Sequence, residues 1–275
     1  MLSGKSSSGT TNWAKVLFID HPYLYLPVLE AIKEDAKLES DALCKIFKNF
    51  DLADGAKLLD FSCGIGRHSI ALALRGYEVV GYDPSQLFID TAKLHKSKEI
   101  LKRDRRIRFY NGDINNFKKI MTLNHESNFK VIIIMFTSIG YASEVEDYKI
   151  FEQLYSLASP GCLLIIQTEN RDWRIMNTPN HSIYEFEEIL INEVWKFDQN
   201  TSVATSRSKY FLKDSQKNSF QLHLELQVRI RLYSLHELLG LLYSAGWKHL
   251  KTYGDLVRLD DVTLTSQNLI IVCRK

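Results

Sequence analysis

Five short apolar runs, at residues 57–61, 78–82, 108–110, 131–136 and 162–168, are separated by stretches most of which carry helical periodicity. That alternation constrains the fold more than any other feature. Strands that alternate with helices assemble as a parallel sheet covered on both faces, so the chain is expected to be α/β. Upstream, Leu29, Ile32, Ala36, Leu43 and Phe47 recur at helical spacing among charged residues from Phe18 to Phe50, with Pro22 and Pro27 as early breakers. A helical segment therefore precedes the sheet.

Downstream of residue 180 the period changes. The run FQLHLELQVRIRL, 220–232, alternates apolar and polar residues as a half-buried antiparallel strand does. EILINEVWKF and SVATSRSKYFL read as its partners, joined through the polar turns DQNT and KDSQKNS. The α/β pattern then returns with a helix over 235–245, ended by Gly246, and strands over 247–253 and 268–273. Only a loop joins those two strands, so they form a hairpin and one of them runs antiparallel to the sheet.

The turn after the first strand poses the functional question. In LLDFSCGIGRHS, Gly64 and Gly66 let the backbone turn tightly and approach a ligand, while a helix starting near Arg67 offers unpaired N–H groups. Asp83, about 20 residues on, ends the second strand, where a carboxylate can accept both hydroxyls of a ribose. A dinucleotide and S-adenosylmethionine fit those two features equally. Asp60 separates them: it would repel a pyrophosphate but favours the ammonium and sulfonium of S-adenosylmethionine. Ser69 also stands where a dinucleotide site has its third glycine. Asp113, in NGDI after the third strand, can accept a hydrogen bond from an adenine amino group, so that Asp60, Gly64, Gly66, Asp83 and Asp113 converge on one crevice.

With LLDFSCGIGRHS as its first motif, GYDPS as its ribose acid, NGDI as its adenine acid and a terminal hairpin in GWKHLKTYGD and SQNLIIVCRK, the chain resembles the class I S-adenosylmethionine-dependent methyltransferases from Leu52 to Lys275. The resemblance implies a Rossmann-like, seven-stranded, mostly parallel sheet with helices on both faces, an antiparallel terminal strand, and an antiparallel β insert between strand five and the following helix. It assigns the cofactor S-adenosylmethionine, leaving S-adenosylhomocysteine, to Asp60, Ser62, Cys63, Gly64, Gly66, Asp83, Pro84, Ser85, Gly112, Asp113, Ile114 and Phe136. Ser62 departs from the family, which often has glycine there. A positive φ at that position would strain a serine.

The acceptor should lie above the sheet. HPYLYLP brings Tyr23 and Tyr25, FTSIGYAS brings Ser138 and Tyr141, TENRDW brings Arg171 and Trp173, and RLYSLHEL brings Tyr233. FTSIGY, NRDW and RLYSLHEL look like the branch that methylates small molecules, such as glycine and amino-sugar N-methyltransferases, which use a β insert as roof and an N-terminal helix as lid. Tyr141, Tyr25 and Arg171 are the expected catalytic residues. Methyl transfer to nitrogen or oxygen is an in-line displacement that needs alignment and desolvation more than a triad, and no triad is visible. An NPPY-type run is absent after strand four, which argues against exocyclic amide or base amine acceptors.

The implied organisation is a flexible start and helical lid over 1–50, a cofactor-binding core over 51–175, the insert over 176–232, and a return to the core over 233–275. A net charge of +2 among 275 residues is too mild to indicate nucleic acid or membrane. The basic run at 93–108 reads as a solvated face, because its helix runs back from the crevice. Four scattered cysteines without a CxxC pair argue against a metal centre or disulfide framework and fit a reducing compartment. The expectation is thus a cytoplasmic enzyme, a monomer or a homodimer through the insert, with no nucleic-acid, membrane or metal partner. Two rivals remain, a tRNA or protein methyltransferase and a non-catalytic scaffold of the same fold.

Overall fold

The computed structural model describes residues 12–98, 106–214, 216–217 and 219–275. Helix α1 (Trp13–Lys15) runs into a π-helical turn (Val16–Asp20) and a 3-10 turn (Pro22–Leu24), followed by α2 (Leu26–Ala31) and α3 (Ala36–Asn49). The core then alternates β1 (Lys57–Phe61), α4 (Arg67–Leu74), β2 (Glu78–Asp83), α5 (Gln86–Lys98), β3 (Ile107–Asn111), α6 (Phe117–Leu123), β4 (Phe129–Ile134), α7 (Glu144–Leu157) and β5 (Ala158–Glu169). A short α8 (Arg171–Met176) leads to β6 (Asn180–Glu185), β7 (Ile189–Asp198), β8 (Val203–Asp214) and β9 (Ser219–Arg231). Finally α9 (Leu235–Ser244), β10 (Lys248–Tyr253) and β11 (Asn268–Arg274) return to the core.

The main sheet has seven strands in the order β10-β11-β5-β4-β1-β2-β3, parallel except for β11, which pairs antiparallel with both β5 and β10. Strand alternation sends Leu58 and Val79 to a core beneath α3 and α4, and Leu59, Phe61 and Tyr82 to a core beneath α6, α7 and α9. The helices that cover the second face start where the sequence can cap them: Ser143 with Glu146 and Ser234 with Glu237 form reciprocal capping boxes at α7 and α9. At the far end of the sheet, Lys96 Nζ donates to the Ile107 carbonyl, so this part of the basic run sits at the amino end of β3, opposite the crevice. The stretch 99–105 of that run lies outside the described residues. Among the described residues no helix is long and apolar enough to cross a membrane.

The insert is a four-stranded antiparallel sheet, β6-β7-β8-β9. Three of its strands match the alternating runs of the sequence. β6 went unexpected, because NHSIYE is an edge strand with mostly polar and exposed residues and shows no apolar alternation. The inner face of this sheet buries Ile191, Tyr210, Leu226 and Val228 against Trp13, Leu17 and Leu24 of the N-terminal strap. Trp13 Nε1 donates to the Arg229 carbonyl at 2.8 Å and ties the strap to β9. Helical structure therefore begins at Trp13, ahead of the expected Phe18.

Candidate functional site

The strand order changes direction between β1 and β4, the switch point at which an open α/β sheet leaves a crevice above its carboxyl ends. A cavity of about 300 Å³ lies there, walled by the turns after β1, β2, β3 and β4 and roofed by the strap. Of the residues expected at the cofactor, Asp60, Ser62, Cys63, Gly64, Asp83, Pro84, Asp113, Ile114 and Phe136 line it.

Asp83 joins two of these turns. Its Oδ2 accepts from the Gly64 N–H at 2.9 Å and its Oδ1 from the Ser85 N–H at 2.8 Å. Each oxygen keeps a lone pair for a ligand hydroxyl. Burial pushes this carboxyl up to about 6, against the two backbone hydrogen bonds and with help from the Asp60 charge. Asp60 is also buried, and Ser69 Oγ donates to its Oδ2 at 2.6 Å. Burial raises its affinity for a proton, opposed by His68, Ser69 and Arg67. Ser69, where a dinucleotide site has glycine, thus serves as the partner that orients Asp60. The Asp113 carboxylate accepts from the Asn115 and Asn116 N–H groups and remains exposed on the cavity wall.

The backbone is strained where the wall is tightest. Ser62 has φ +61°, the left-handed conformation that the family's usual glycine takes without cost. Phe136 and Thr137, after β4, have φ +58° and +55°. β5 holds this turn: Thr137 N–H donates to the Gln167 carbonyl at 3.0 Å, and Glu169 N–H donates to Thr137 Oγ1 at 3.0 Å. The turn presents Phe136 to the cavity, and the Arg67 guanidinium sits 5.6 Å from its ring centroid.

Arg67 and His68 line the cavity, although both are almost fully buried. Glu39 of α3 holds them together: its Oε2 pairs with Arg67 Nη1 and lies 2.8 Å from His68 Nε2. Burial disfavours the charged carboxylate, but His68 and Arg67 outweigh it and hold Glu39 down to about 2.

Beneath the strap, Phe18 packs edge-on against Tyr25 (ring centroids 5.2 Å apart), stacks near Tyr141 (6.0 Å) and reaches Phe88 (6.4 Å). Trp13 meets Tyr141 edge-on at 4.9 Å. Tyr25 and Tyr141 line the cavity, and burial keeps both phenols protonated far above the ordinary tyrosine value. Ser138 also lines it, its Oγ donating to the Met135 carbonyl.

Other expected residues lie elsewhere. Gly66 caps α4 at φ +73°, and a Cβ there would meet the Phe109 ring at 2.8 Å, so this glycine serves packing rather than ligand approach. A Cβ at Gly112 would meet Ile120 and the Tyr82 hydroxyl, again a packing constraint. Ser85 is fully buried, and its backbone, not its side chain, serves Asp83. Tyr23, Arg171, Trp173 and Tyr233, expected at the acceptor, do not line the cavity. Tyr23 is exposed, its Oη between His21 Nδ1 and His223 Nε2. Arg171 donates to Ser202 Oγ, Trp173 stacks on Arg174, and Tyr233 is buried with its Oη donating to Asp147 at 2.6 Å. The sequence reading missed Phe18, Arg67, His68 and the Glu39 that holds them. The charged RH pair directly after a glycine turn was the available signal.

Residues 58–161 match the family model described as a methyltransferase domain. Over that segment, which is less than half of its length, the chain is similar to a methyltransferase domain. The chain is 27% identical over 139 residues to a ubiquinone biosynthesis O-methyltransferase of Bradyrhizobium diazoefficiens, and 26% identical over 138 residues to one of Rhodopseudomonas palustris. The matched part is 49% of this chain and 49% of each relative, so the chain spans about half the length of the curated relatives it matches. Among solved structures, the chain resembles an S-adenosylmethionine-dependent methyltransferase of Clostridium acetobutylicum (TM-score 0.73, 17% identity, 93% of this chain and 97% of that one). It also resembles a sugar N-methyltransferase of Streptoalloteichus (TM-score 0.66, 16% identity, 100% and 99%). At these identities the likeness to solved structures is one of fold, and it extends over the insert and the strap.

Proposed function

We propose that this methyltransferase moves a methyl group from S-adenosylmethionine to a nitrogen or oxygen of a small metabolite in the cavity above β1 and β4. The observation that carries the reading is the wall of three carboxylates, Asp60, Asp83 and Asp113, at the ends of successive strands around a glycine turn. The residues fit the cofactor chemically. Asp60 offers a buried negative charge for cationic groups, Asp83 offers a free lone pair on each oxygen beside the Gly64 turn, and Asp113 with Ile114 offers an acceptor and an apolar edge for a base. The bound cofactor supplies an activated methyl group on a sulfonium. The chain aligns the acceptor against it: Tyr25, Tyr141 and Phe18 shape an aromatic chamber beneath the strap and exclude water. The raised phenols act as neutral hydrogen-bonding groups rather than bases.

A small acceptor is favoured by the strap, which roofs the cavity and is itself backed by the insert. The likeness to a sugar N-methyltransferase supports the same class. Cys44, Cys63, Cys162 and Cys273 are free thiols and fit a reducing cytoplasm. Burial and the Asp60 and Asp83 charges raise the Cys63 thiol well above its ordinary value, so it packs rather than reacts.

Calorimetric titration with S-adenosylhomocysteine and, separately, NAD tests the assignment. The homologous thioether should bind and NAD should not. Asp83→Ala should weaken S-adenosylhomocysteine by roughly tenfold or more, the loss of a charged hydrogen-bond acceptor. Equal affinity in that variant, or binding of NAD alone, would remove the site assignment.

A further inference from the structure

Arg67 and His68 are the part of the cavity wall that the three carboxylates leave unexplained. Both line the cavity, yet only 8% of Arg67 and 4% of His68 is exposed. Glu39 Oε2 accepts from Arg67 Nη1 and lies 2.8 Å from His68 Nε2. Among the described residues nothing else accepts from the Arg67 guanidinium, so Nε and Nη2 keep their N–H donors. These nitrogens are not sealed in protein, as Nε of Arg174, Arg231 and Arg274 is, and the cavity is where Arg67 opens. The guanidinium is also fixed in place. Glu39 holds one edge, and the Phe136 ring, on the turn that β5 anchors, has its centroid 5.6 Å away.

A buried cation with unmet donors is costly unless a ligand meets them. The planar fork of an arginine fits a carboxylate, which accepts from two of its nitrogens at once. Asp60 stands close by: its Oδ2 accepts from Ser69 Oγ, two residues from Arg67 on the first turn of α4. A phosphate, with its greater negative charge, would be repelled there, so the position suits a group with a single charge. Lys15 is the remaining lysine or arginine on the wall. Its ammonium pairs with Asp20 at 2.8 Å, and both side chains are exposed, so solvent screens it and it adds little.

We propose that Arg67, with His68 beside it, is a carboxylate-binding position of the cavity. The free edge of the guanidinium takes the carboxylate, and Glu39 acts from behind as the positioning residue. Asp60 sets a place for a cation next to this place for an anion, which is the charge pattern of an α-amino acid. Two molecules of the reaction can bring the carboxylate. One is the methionine end of the cofactor, with its ammonium toward Asp60, and this source rests on the cofactor reading given above. The other is an acceptor that is itself an acid.

Calorimetry on the parent and two variants tests the position. Arg67→Lys keeps the charge and loses the fork, and a Glu39→Gln, Arg67→Gln double variant removes both charges so that neither is left buried alone. The first arm compares S-adenosylhomocysteine with its decarboxylated analogue, S-adenosyl-3-thiopropylamine. The second compares 4-hydroxybenzoate with 4-hydroxybenzamide and anthranilate with anthranilamide, on free protein and on protein loaded with S-adenosylhomocysteine. If the cofactor brings the carboxylate, the parent favours S-adenosylhomocysteine over the analogue by about tenfold or more, and each variant binds the two within about threefold. The analogue itself should keep its affinity within about twofold in all three proteins, a pattern that mere loss of structure would not give. If the acceptor brings it, the loaded parent favours at least one acid over its amide by about tenfold and both variants lose that preference. A preference that survives in both variants, or a parent that shows none in either arm, would overturn the proposal. A parent that binds neither thioether would instead overturn the cofactor reading, and the preference of the free parent for acids over amides then decides the carboxylate position by itself.

Discussion

Replacing Glu39 by Gln keeps the shape of the α3 side chain and removes the charge that Arg67 and His68 share. The Glu39 side chain is only 16% exposed, so solvent screens the cluster weakly. Its carboxyl lies at about 2 in the folded protein against an ordinary 4.5, which makes the interaction worth about 3 kcal/mol at neutral pH. A carboxylate held below its unfolded value contributes fully above pH 4.5 and loses that contribution as the pH falls toward 2. Glu39→Gln should therefore melt roughly 6–12 °C below the parent at pH 7 in scanning calorimetry. In urea titrations, the stability gap should narrow by about 1 kcal/mol between pH 7 and pH 4. Because Arg67 and His68 face the cavity, S-adenosylhomocysteine should also bind the variant more weakly. A variant that melts with the parent, or a gap that ignores pH, would refute the view that this buried triad is held by charge.

Two further outcomes follow from the same geometry. Because the Asp83 carboxyl titrates near 6, S-adenosylhomocysteine affinity should be flat above pH 7 and fall below pH 6, at most about tenfold per unit, in calorimetry across pH. The ligand-free protein should move the opposite way at this residue, since a carboxyl raised in the folded state gains stability as it protonates. Gly66→Ala forces a Cβ to 2.8 Å from Phe109 at φ +73° and should cost about 2–4 kcal/mol of unfolding free energy in urea, with cofactor affinity of the folded fraction close to that of the parent.

The wall of carboxylates was legible because strand periodicity locates the strand ends, and Asp60, Asp83 and Asp113 each stand at or just beside one. The glycines were only half legible. A tight turn and a close helix–strand contact ask for the same residue, and the Phe109 ring that claims Gly66 lies more than 40 positions away. Glu39 was not legible, since nothing local ties α3 to the RH pair 28 residues on. Tyr233 was expected at the acceptor, but it is buried against α7, where Asp147 accepts a hydrogen bond from its hydroxyl.

The indole of Trp13 bonded to the carbonyl of Arg229 also sets an order of assembly. The wall of carboxylates is complete once β3 has formed, but the chamber above it needs one partner from each side of a 216-residue separation. During synthesis the strap is made first and has no roof to lie against until β9 emerges. A growing chain can therefore display a cofactor-facing crevice long before it can enclose an acceptor. Contacts of such long range form late, and capture of the acceptor becomes a property of the finished chain alone.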